Sequence, residues 1–483
     1  MSDTYYKTFQ ISIKKDHRLF PYFHQMSQSA KNMYNATNFY IRQVFTAFRK
    51  EGSLQPLQKE VLDTIEQYIE EMNERQFKAY QLKVLREQQK PLEKRREVKL
   101  NLFNVPSKEK PYLDYNSLDS LFKVMKQTDY RSLPTQSSQW VMKNVFQNWT
   151  SFFESLKDYR SYPEKYKAKP RIPNYSRALE KEIQFTNQDC TVKDGRFLKF
   201  PKTKHRLNIG KLGYTKGKLK HVRVVPKYGQ YVLEIIFEST FETKVFDKER
   251  YMAIDLGVDN LATIITTTGS QPILVKGKHI KAINQYYNKM KAHYMSILRH
   301  GKKPKEGQHT SKRIERLHRN RHRKIKDLLH KASYHIIHQA VKQNTGTIII
   351  GQNRGWKQES NIGKRNNQSF SHIPHQMLIS MINYKAAEQG IEVQLTEESY
   401  TSKASFLDLD PLPIYGEEKT INFSGKRIHR GLYKSEKGFI NADVNGSANI
   451  LRKVVPTASA YGIEGLDGTQ SVNVSTPLVL SIR

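Results

Sequence analysis

Residues 251–260 read YMAIDLGVDN: a short apolar run, then an acid, Asp255, then Leu-Gly. An acid where a buried strand should end can form a turn, cap a helix or hold a metal, and this position alone does not choose among them. The flanking chain is more informative. LATIITTT (261–268) and QPILVKG (271–277) read as two further strands separated by a Gly-Ser turn. A long basic helical stretch from about 280 to 345 follows, then a buried strand, GTIIIG (346–351). The helix IPHQMLISMINYKAAEQG (373–390) ends at Gly390, the strand IEVQLTE covers 391–397, and a last helix starts near Asp443 in NADVNGSANILRK. Three consecutive strands, a helix, then alternating strand and helix is the element order of an RNase H-like α/β sheet.

Upstream the pattern differs. YYKTFQISI (5–13) alternates as a strand. From 16 to 160 the chain reads as mainly helical, with Val61, Ile65, Ile69 and Met72 as one stripe. Trp140, Val141, Val145, Phe146 and Trp149 give a later segment one broad apolar face. KYKAKPRIPNYSR (165–177) breaks helix with its prolines, and FLKFP to YVLEIIFE (197–238) alternates with period two. The expected organisation is therefore α+β and multidomain. A basic β module covers 1–15 and 161–249, a helical insertion 16–160 and the acid-bearing sheet 250–455. The low-charge tail 456–483 is expected to be disordered.

Among the 483 residues, 81 Lys and Arg face 46 Asp and Glu, a formal charge of +35. Such an excess exceeds what solubility requires and calls for a polyanion, with nucleic acid the usual partner. No apolar run approaches the ~20 residues of a spanning helix, so no membrane partner is expected. The N-terminal segment has no secretory pattern, and a cytoplasmic, nucleoid-associated protein is the expectation. The single cysteine, Cys190, excludes an intramolecular disulfide and a cysteine-based zinc site.

Phosphodiester hydrolysis needs an activated water, a stabilised leaving oxygen and screened phosphate charge, which two hard cations supply together. Magnesium takes oxygen ligands, so the chain must bring acids from different elements to one point. Asp255 and Asp443 are suited to this, although each alone reads equally well as a turn residue or an N-cap.

The resemblance becomes specific over AIDLGVDNLAT (253–263), HKASYHIIHQAV (330–341), YTSKASFLD (400–408) and GFINADVNGSANILRK (438–453). These segments resemble TnpB, the transposon-encoded RNA-guided nucleases related to type V CRISPR effectors and Fanzor proteins. YPEKYKAKPRIPNY (162–175) resembles the family's basic segment. The resemblance implies a RuvC-type nuclease domain and a wedge-type β-barrel with an inserted helical recognition lobe. It further implies a guide RNA from the transposon end, a double-stranded target DNA beside a short adjacent motif, and two Mg2+ ions. Asp255 matches the first RuvC aspartate and Asp443 the last.

Two departures stand out. The family's second acid usually ends the strand TIIIG, where this chain has Gly351. The next strand instead ends in TEESYTS, with Glu397 and Glu398, an arrangement some relatives resemble. Side chains alternate along a strand, so the two acids face opposite sides unless the strand has ended. The relatives' Glu-x-x-Thr spacing favours Glu398, with Glu397 the alternative. The family's zinc-ribbon cysteines are also missing: Ala404 stands where the first is expected, so no zinc is predicted and the stretch must fold without it or stay mobile. His318 and His322 are a helix-spaced pair read as phosphate-facing or solvated.

Two basic surfaces are candidates for nucleic acid. Lys312, Arg313, Arg316, Arg319, Arg321, Arg323 and Lys324 cover more than one face of a helix, which suits phosphate contacts along a duplex. Lys165, Tyr166, Lys167, Lys169 and Arg171 interleave cations with an aromatic ring, as RNA binding needs. The reading is an RNA-guided, Mg2+-dependent DNA endonuclease with Asp255, Glu398 and Asp443 as catalytic metal ligands. A nuclease-inactive RNA-guided transcriptional repressor is the alternative, supported by Gly351. A guide-free nuclease or transposase shares the acids but leaves the helical insertion unexplained.

Overall fold

The structure is a computed structural model that describes residues 4–49, 52–210, 217–240, 244–303, 306–353, 372–414, 422–461 and 471–482. Trp356 and Glu359, noted in the sequence, lie outside the described residues. The chain divides into two compact units, 1–240 and 241–483.

In the first unit, strand β1 (Thr4–Ile13) is followed by helices α1 (Phe20–Ala47), α2 (Pro56–Gln88), α3 (Tyr115–Val124), α4 (Thr128–Ser132) and α5 (Thr135–Ser161). Six strands follow: β2 (Ile183–Thr186), β3 (Thr191–Lys193), β4 (Phe197–Lys199), β5 (Arg206–Asn208), β6 (Lys218–Lys227) and β7 (Gln230–Thr240), counted among the described residues. β1 pairs antiparallel with β7 from Thr4↔Thr240 to Ile13↔Tyr231, and the helices lie in sequence between β1 and β2, the two outer strands of one sheet. That sheet has the order β1-β7-β6-β2, and β3-β4-β5 form a second one. Closure into a barrel is not among the pairings of the described residues.

Helices and sheet share one core, in which Phe23, Phe122 and Trp149 of the helices join Phe185, Phe200 and Tyr231 of the β segment. The Trp149 indole N–H donates to Asn38 Oδ1 at 2.9 Å, satisfying the one polar atom of a ring that is 2% exposed. Truncating such a residue typically costs about 3–5 kcal/mol.

The second unit is built on a six-stranded mixed sheet. Its strands are β8 (Asp247–Asp255), β9 (Asn260–Thr266), β10 (Ile273–Lys276), β11 (Thr345–Gly351) and β12 (Glu392–Thr396), with β18 (Leu478–Leu480) at one edge. The order is β12-β11-β8-β9-β10-β18. β8, β9 and β10 run antiparallel in sequence, whereas β11 is parallel to β8 and β12 to β11. Every residue of β11 is buried, as a strand covered on both faces requires.

Alternate residues supply the two layers. Met252, Ile254, Ile348 and Ile350 pack with Leu329 and Ile336 of α7 (Lys312–Lys342) and Ile379 and Ile382 of α8 (His375–Gln389). Ala253, Ile265 and Ile349 face Val444, Ala448 and Leu451 of α9 (Ala442–Val454) on the other side. The remaining helix, α6 (Lys278–Arg299), precedes α7, and Gly390 ends α8 in the left-handed conformation at φ 89°.

The disordered tail expected from low charge is corrected for the described residues. Ser471–Asn473 (β17) pairs in parallel with Ser459–Tyr461 (β16), and β18 pairs in parallel with β10. Low charge lets the tail take up the free backbone donors and acceptors of an edge strand.

The segment without zinc cysteines is also ordered where described. It forms β13 (Lys426–His429), β14 (Leu432–Ser435) and β15 (Gly438–Asn441) around buried Tyr433, whose hydroxyl donates to the Lys403 carbonyl at 2.7 Å. Asp410 accepts the backbone N–H of Ser405 at 2.7 Å and of Ser424 at 3.1 Å. Asp408 accepts those of Glu436 at 3.0 Å and Lys437 at 3.2 Å. Two carboxylates thus tie together the strands and turns of this segment.

Candidate active site

Asp255, Glu398 and Asp443 line one cleft of about 820 Å³ together with Asn353, Lys276, Arg427 and Arg430. Each acid arrives by a different route.

β8 delivers Asp255 as its last residue, opposite Thr263 of β9. α9 crosses the sheet beside it. The buried Ser447 hydroxyl lies within hydrogen-bond distance of the Ala253 carbonyl (3.2 Å) and the Thr263 carbonyl (3.1 Å), which pins helix to sheet. Gly446 permits the close approach: a Cβ there would stand 2.9 Å from Asp255 Oδ2.

Glu398 comes from the turn after β12. Gly351 pairs with Thr396, the Gln352 N–H donates to the Thr396 carbonyl at 2.8 Å, and Asn353 Oδ1 accepts the Glu398 N–H at 3.0 Å. A Cβ on Gly351 would lie 2.9 Å from Glu398 Oε2 and 2.5 Å from Ile450 Cδ1. The space opened by the missing side chain at the end of β11 is therefore filled by the carboxylate of the neighbouring strand.

Glu397 faces elsewhere. It pairs with Lys453 at 2.5 Å, accepts the Ser399 N–H at 2.7 Å, and lines a separate cavity with Asp410 and Arg452. Those partners lower its pKa against the effect of burial, which pushes the other way.

Asp443 sits in the first turn of α9, yet it is not the cap. Asn441 takes that role, accepting the N–H groups of Asp443 and Val444 at 3.0 and 3.2 Å. The Asp443 carboxylate is left for the cleft, where Oδ2 accepts from Asn260 Nδ2 at 2.6 Å and Oδ1 from an Arg427 guanidinium nitrogen at 3.1 Å.

Electrostatics show the strain of gathering acids. Burial, then the charge of Asp443, raises Asp255 to about 7, with Arg427 opposing. Burial, then Asp255 and Glu397, raises Glu398 to about 8, with Lys453 opposing. Carboxyls held together against burial and mutual repulsion are a frequent mark of functional sites.

Among the described residues, no three His, Cys, Asp or Glu side chains form a group placed to enclose a metal ion. The donor chemistry nevertheless fits a hard divalent cation: three carboxylates in one cleft, two of them seated against glycines that leave them room. A guanidinium, that of Arg427, supplies positive charge at Asp443 in this arrangement.

The basic candidates lie outside the acid cleft. On α7, Lys312, Arg313, Arg316, Arg323 and Lys324 are exposed, and Arg319 is half-buried. Arg321 turns inward, donating to Asn284 Oδ1 at 2.7 Å and the His372 carbonyl at 3.1 Å, with its guanidinium 4.8 Å from the Tyr287 ring centre. That packing corrects its placement on a phosphate-facing surface.

His318 is half-buried rather than fully solvated. It bonds the Tyr287 hydroxyl at 2.9 Å, and burial with Lys291 and Arg321 nearby holds its pKa below the usual imidazole value.

In the first unit, Lys165, Lys167, Lys169 and Arg171 are exposed. Tyr166 instead donates to Asp158 Oδ2 at 2.9 Å and packs edge-on to Tyr159, so the expected stacking ring is engaged within the protein.

The sequence reading missed Arg427, Arg430, Lys276, Asn260 and Asn353. Asn260 lies inside the stretch quoted first, and GKRIHRG (425–431) is a compact basic turn, but only folding brings either to the acids.

Two stretches of the chain match known families. Residues 234–357 match the family OrfB_IS605, described as a probable transposase, and residues 375–450 match the Cas12f1-like TNB domain. The CRISPR-associated endodeoxyribonuclease Cas12f1 of Sulfoacidibacillus thermotolerans is 28% identical over 229 residues, which span 46% of this chain and 50% of that protein. The chain thus aligns with about half the length of that curated relative.

Among solved structures, a Cas12f1–sgRNA–target DNA complex covers 92% of this chain and 98% of its own, with 13% identity and a TM-score of 0.46. The mini-RNA-guided endonuclease CRISPR-Cas_phi3 covers 97% and 94%, with 9% identity and a TM-score of 0.42. The mixed sheet and the helices make this an α+β protein, and the two family matches fall on its second unit and the strand that precedes it. Over those two stretches the chain is similar to the OrfB_IS605 and Cas12f1-like families.

Proposed function

We propose that this protein is an RNA-guided DNA endonuclease that cuts target DNA by metal-dependent hydrolysis at Asp255, Glu398 and Asp443. The observation that carries the reading is the convergence of these acids, with Glu398 filling the room that Gly351 leaves. The strand order β12-β11-β8-β9-β10, with the first three strands antiparallel and the next two parallel, supports an RNase H-like, RuvC-type domain. The helical insertion between β1 and β2 of one sheet supports a recognition lobe set into a wedge module.

Asp255, Glu398 and Asp443 would hold Mg2+, which when bound supplies an activated water and screens the phosphate. Burial and neighbouring acids raise Asp255 and Glu398 to about 7 and 8, so these two side chains would have to give up protons to hold the ion. Arg427, Arg430 and Lys276 offer positive charge along the same cleft, suited to a phosphodiester backbone.

Base pairing with a guide RNA from the transposon end would select the sequence. The protein would recognise backbone shape and a short adjacent motif. The charge of +35 supports a polyanionic partner of this size.

The test is cleavage of matched duplex DNA by protein purified with its co-expressed RNA. Cutting should need Mg2+ and survive in no Asp255→Ala preparation, while DNA binding persists. Wild-type protein that binds without cutting would instead identify a repressor. Cutting that persists after RNase treatment would identify a guide-free nuclease. The repressor reading drew on Gly351, and the carboxylate now seated there moves that support to the cutting enzyme.

A further inference from the structure

The two oxygens of Asp443 are held by different kinds of donor. Arg427 is a charged donor on Oδ1, and its own side chain is 42% exposed. Asn260 is a neutral donor on Oδ2, at 2.6 Å and half-buried. A cation approaching Asp443 meets electrostatic opposition from the first and none from the second. Asn260 takes one lone-pair site of Oδ2 and fixes the carboxylate plane, so Oδ1 is the oxygen left with both sites open once the guanidinium yields.

The carboxamide's shape does not decide which end faces the acid, because its oxygen and nitrogen have nearly the same outline. Lys276 decides it. Its ammonium carries donors and no acceptor, and it stands 2.9 Å from Asn260 Oδ1. The oxygen must face the lysine, so the NH2 group must face Asp443.

The backbone is shaped to make this contact. β10 pairs with β9 regularly through Val275↔Ala262, then shifts so that Lys276 lies opposite Asn260 and Leu261 is skipped. Bulges of this kind re-aim side chains beside functional sites. Gly277 then lets the strand end lie against the loop before β9: a Cβ would stand 2.7 Å from the Val258 carbonyl, and the Gly277 N–H donates to the Asp259 carbonyl at 2.8 Å.

We propose that Asn260, oriented by Lys276, is a positioning residue that presents one oxygen of Asp443 to a divalent cation and thereby sets metal affinity. This rests on the reading of Asp443 as a metal ligand. Groups that orient a ligand from behind typically change metal affinity by about 10–100-fold when removed.

The test is Mn2+ binding to the full chain with its co-purified RNA, read as loss of the free-ion paramagnetic resonance signal. Parallel thermal melts check folding, and the Mn2+ dependence of DNA cleavage gives a second readout. Asn260→Ala should weaken Mn2+ binding about 10–100-fold. It should also raise the Mn2+ needed for half-maximal cutting while leaving the rate at saturation near wild type. Lys276→Met should shift affinity in the same direction, and Lys276→Arg should restore it; these two carry the test should Asn260→Ala fail to fold.

Wild-type affinity in folded Asn260→Ala or Lys276→Met, alongside lost binding in Asp443→Asn, would overturn the positioning role and leave the metal site standing. Unchanged affinity in Asp443→Asn and Asp255→Asn together would overturn the metal site itself. A lower melting temperature in Asn260→Ala, with affinity intact, would make the residue merely structural and would also overturn the inference.

Discussion

At the scale of single residues, the site depends on two absent side chains. Gly351→Ala brings a methyl against Ile450 and the Glu398 carboxylate. Overpacking of this kind costs about 1–3 kcal/mol, and the variant should cut more slowly because Glu398 is pushed out of place. Denaturant melts and cleavage rates check both effects. Gly446→Ala should act likewise through Asp255, whose Oδ2 would lie 2.9 Å from the new Cβ.

Proton linkage gives a further expectation. Asp255 and Glu398 have folded-state pKa values near 7 and 8, above their unfolded values, so the folded state binds protons more tightly. In metal-free protein their destabilising charge is absent below about pH 4 and grows as the pH rises to about 8. Asp255→Asn or Glu398→Gln should therefore raise the metal-free melting temperature at pH 8 and change it little at pH 4. Each kcal/mol recovered is worth about 2–4 °C in a unit of this size. Equal melting temperatures at pH 8 would contradict the repulsion.

At the scale of elements, β11 and α9 could be read from the sequence, because β11, buried on both faces, is an unbroken apolar run and α9 begins at a polar signal. The partner of each acid could not. Glu398 lies near Asp255 only because β11 and β12 pair in parallel with Gly351 opposite Thr396, a register that alternation does not contain. Arg427 reaches Asp443 through β13, whose burial pattern is exposed throughout and leaves no periodic trace. The tail was misread because three-residue strands such as β17 and β18 are too short to show a period.

Asp410 shows how the β13–β15 segment holds without cysteines. It is 7% exposed and accepts backbone N–H groups from both sides of the segment. Asp410→Ala leaves those donors unpaired and should cost about 1–3 kcal/mol in denaturant melts, whereas a zinc chelator should leave the melt unchanged. On α7, Arg321→Ala should lower stability without altering nucleic-acid binding, since its guanidinium is spent on Asn284 and His372.

At the scale of the whole molecule, a charge of +35 should make the proposed nucleic-acid affinity steeply salt-dependent. A chain neutralising some 6–10 phosphates loses about 10³–10⁵ in affinity between 50 and 200 mM salt. Replacing Lys312, Arg313 and Arg316 with alanine should flatten the slope by about 0.9 per lost duplex contact, measured by filter binding across salt concentrations.

The charge calls for a polyanion, the acids call for a cation, and the account joins them through one relocated carboxylate. The most direct measurement compares Mg2+-dependent cutting of matched duplex DNA by Glu398→Ala and Glu397→Ala, each purified with its RNA. Cutting should vanish in the first and persist in the second, whose acid faces Lys453 in a different cavity. Wild-type cutting by Glu398→Ala would contradict the site described here.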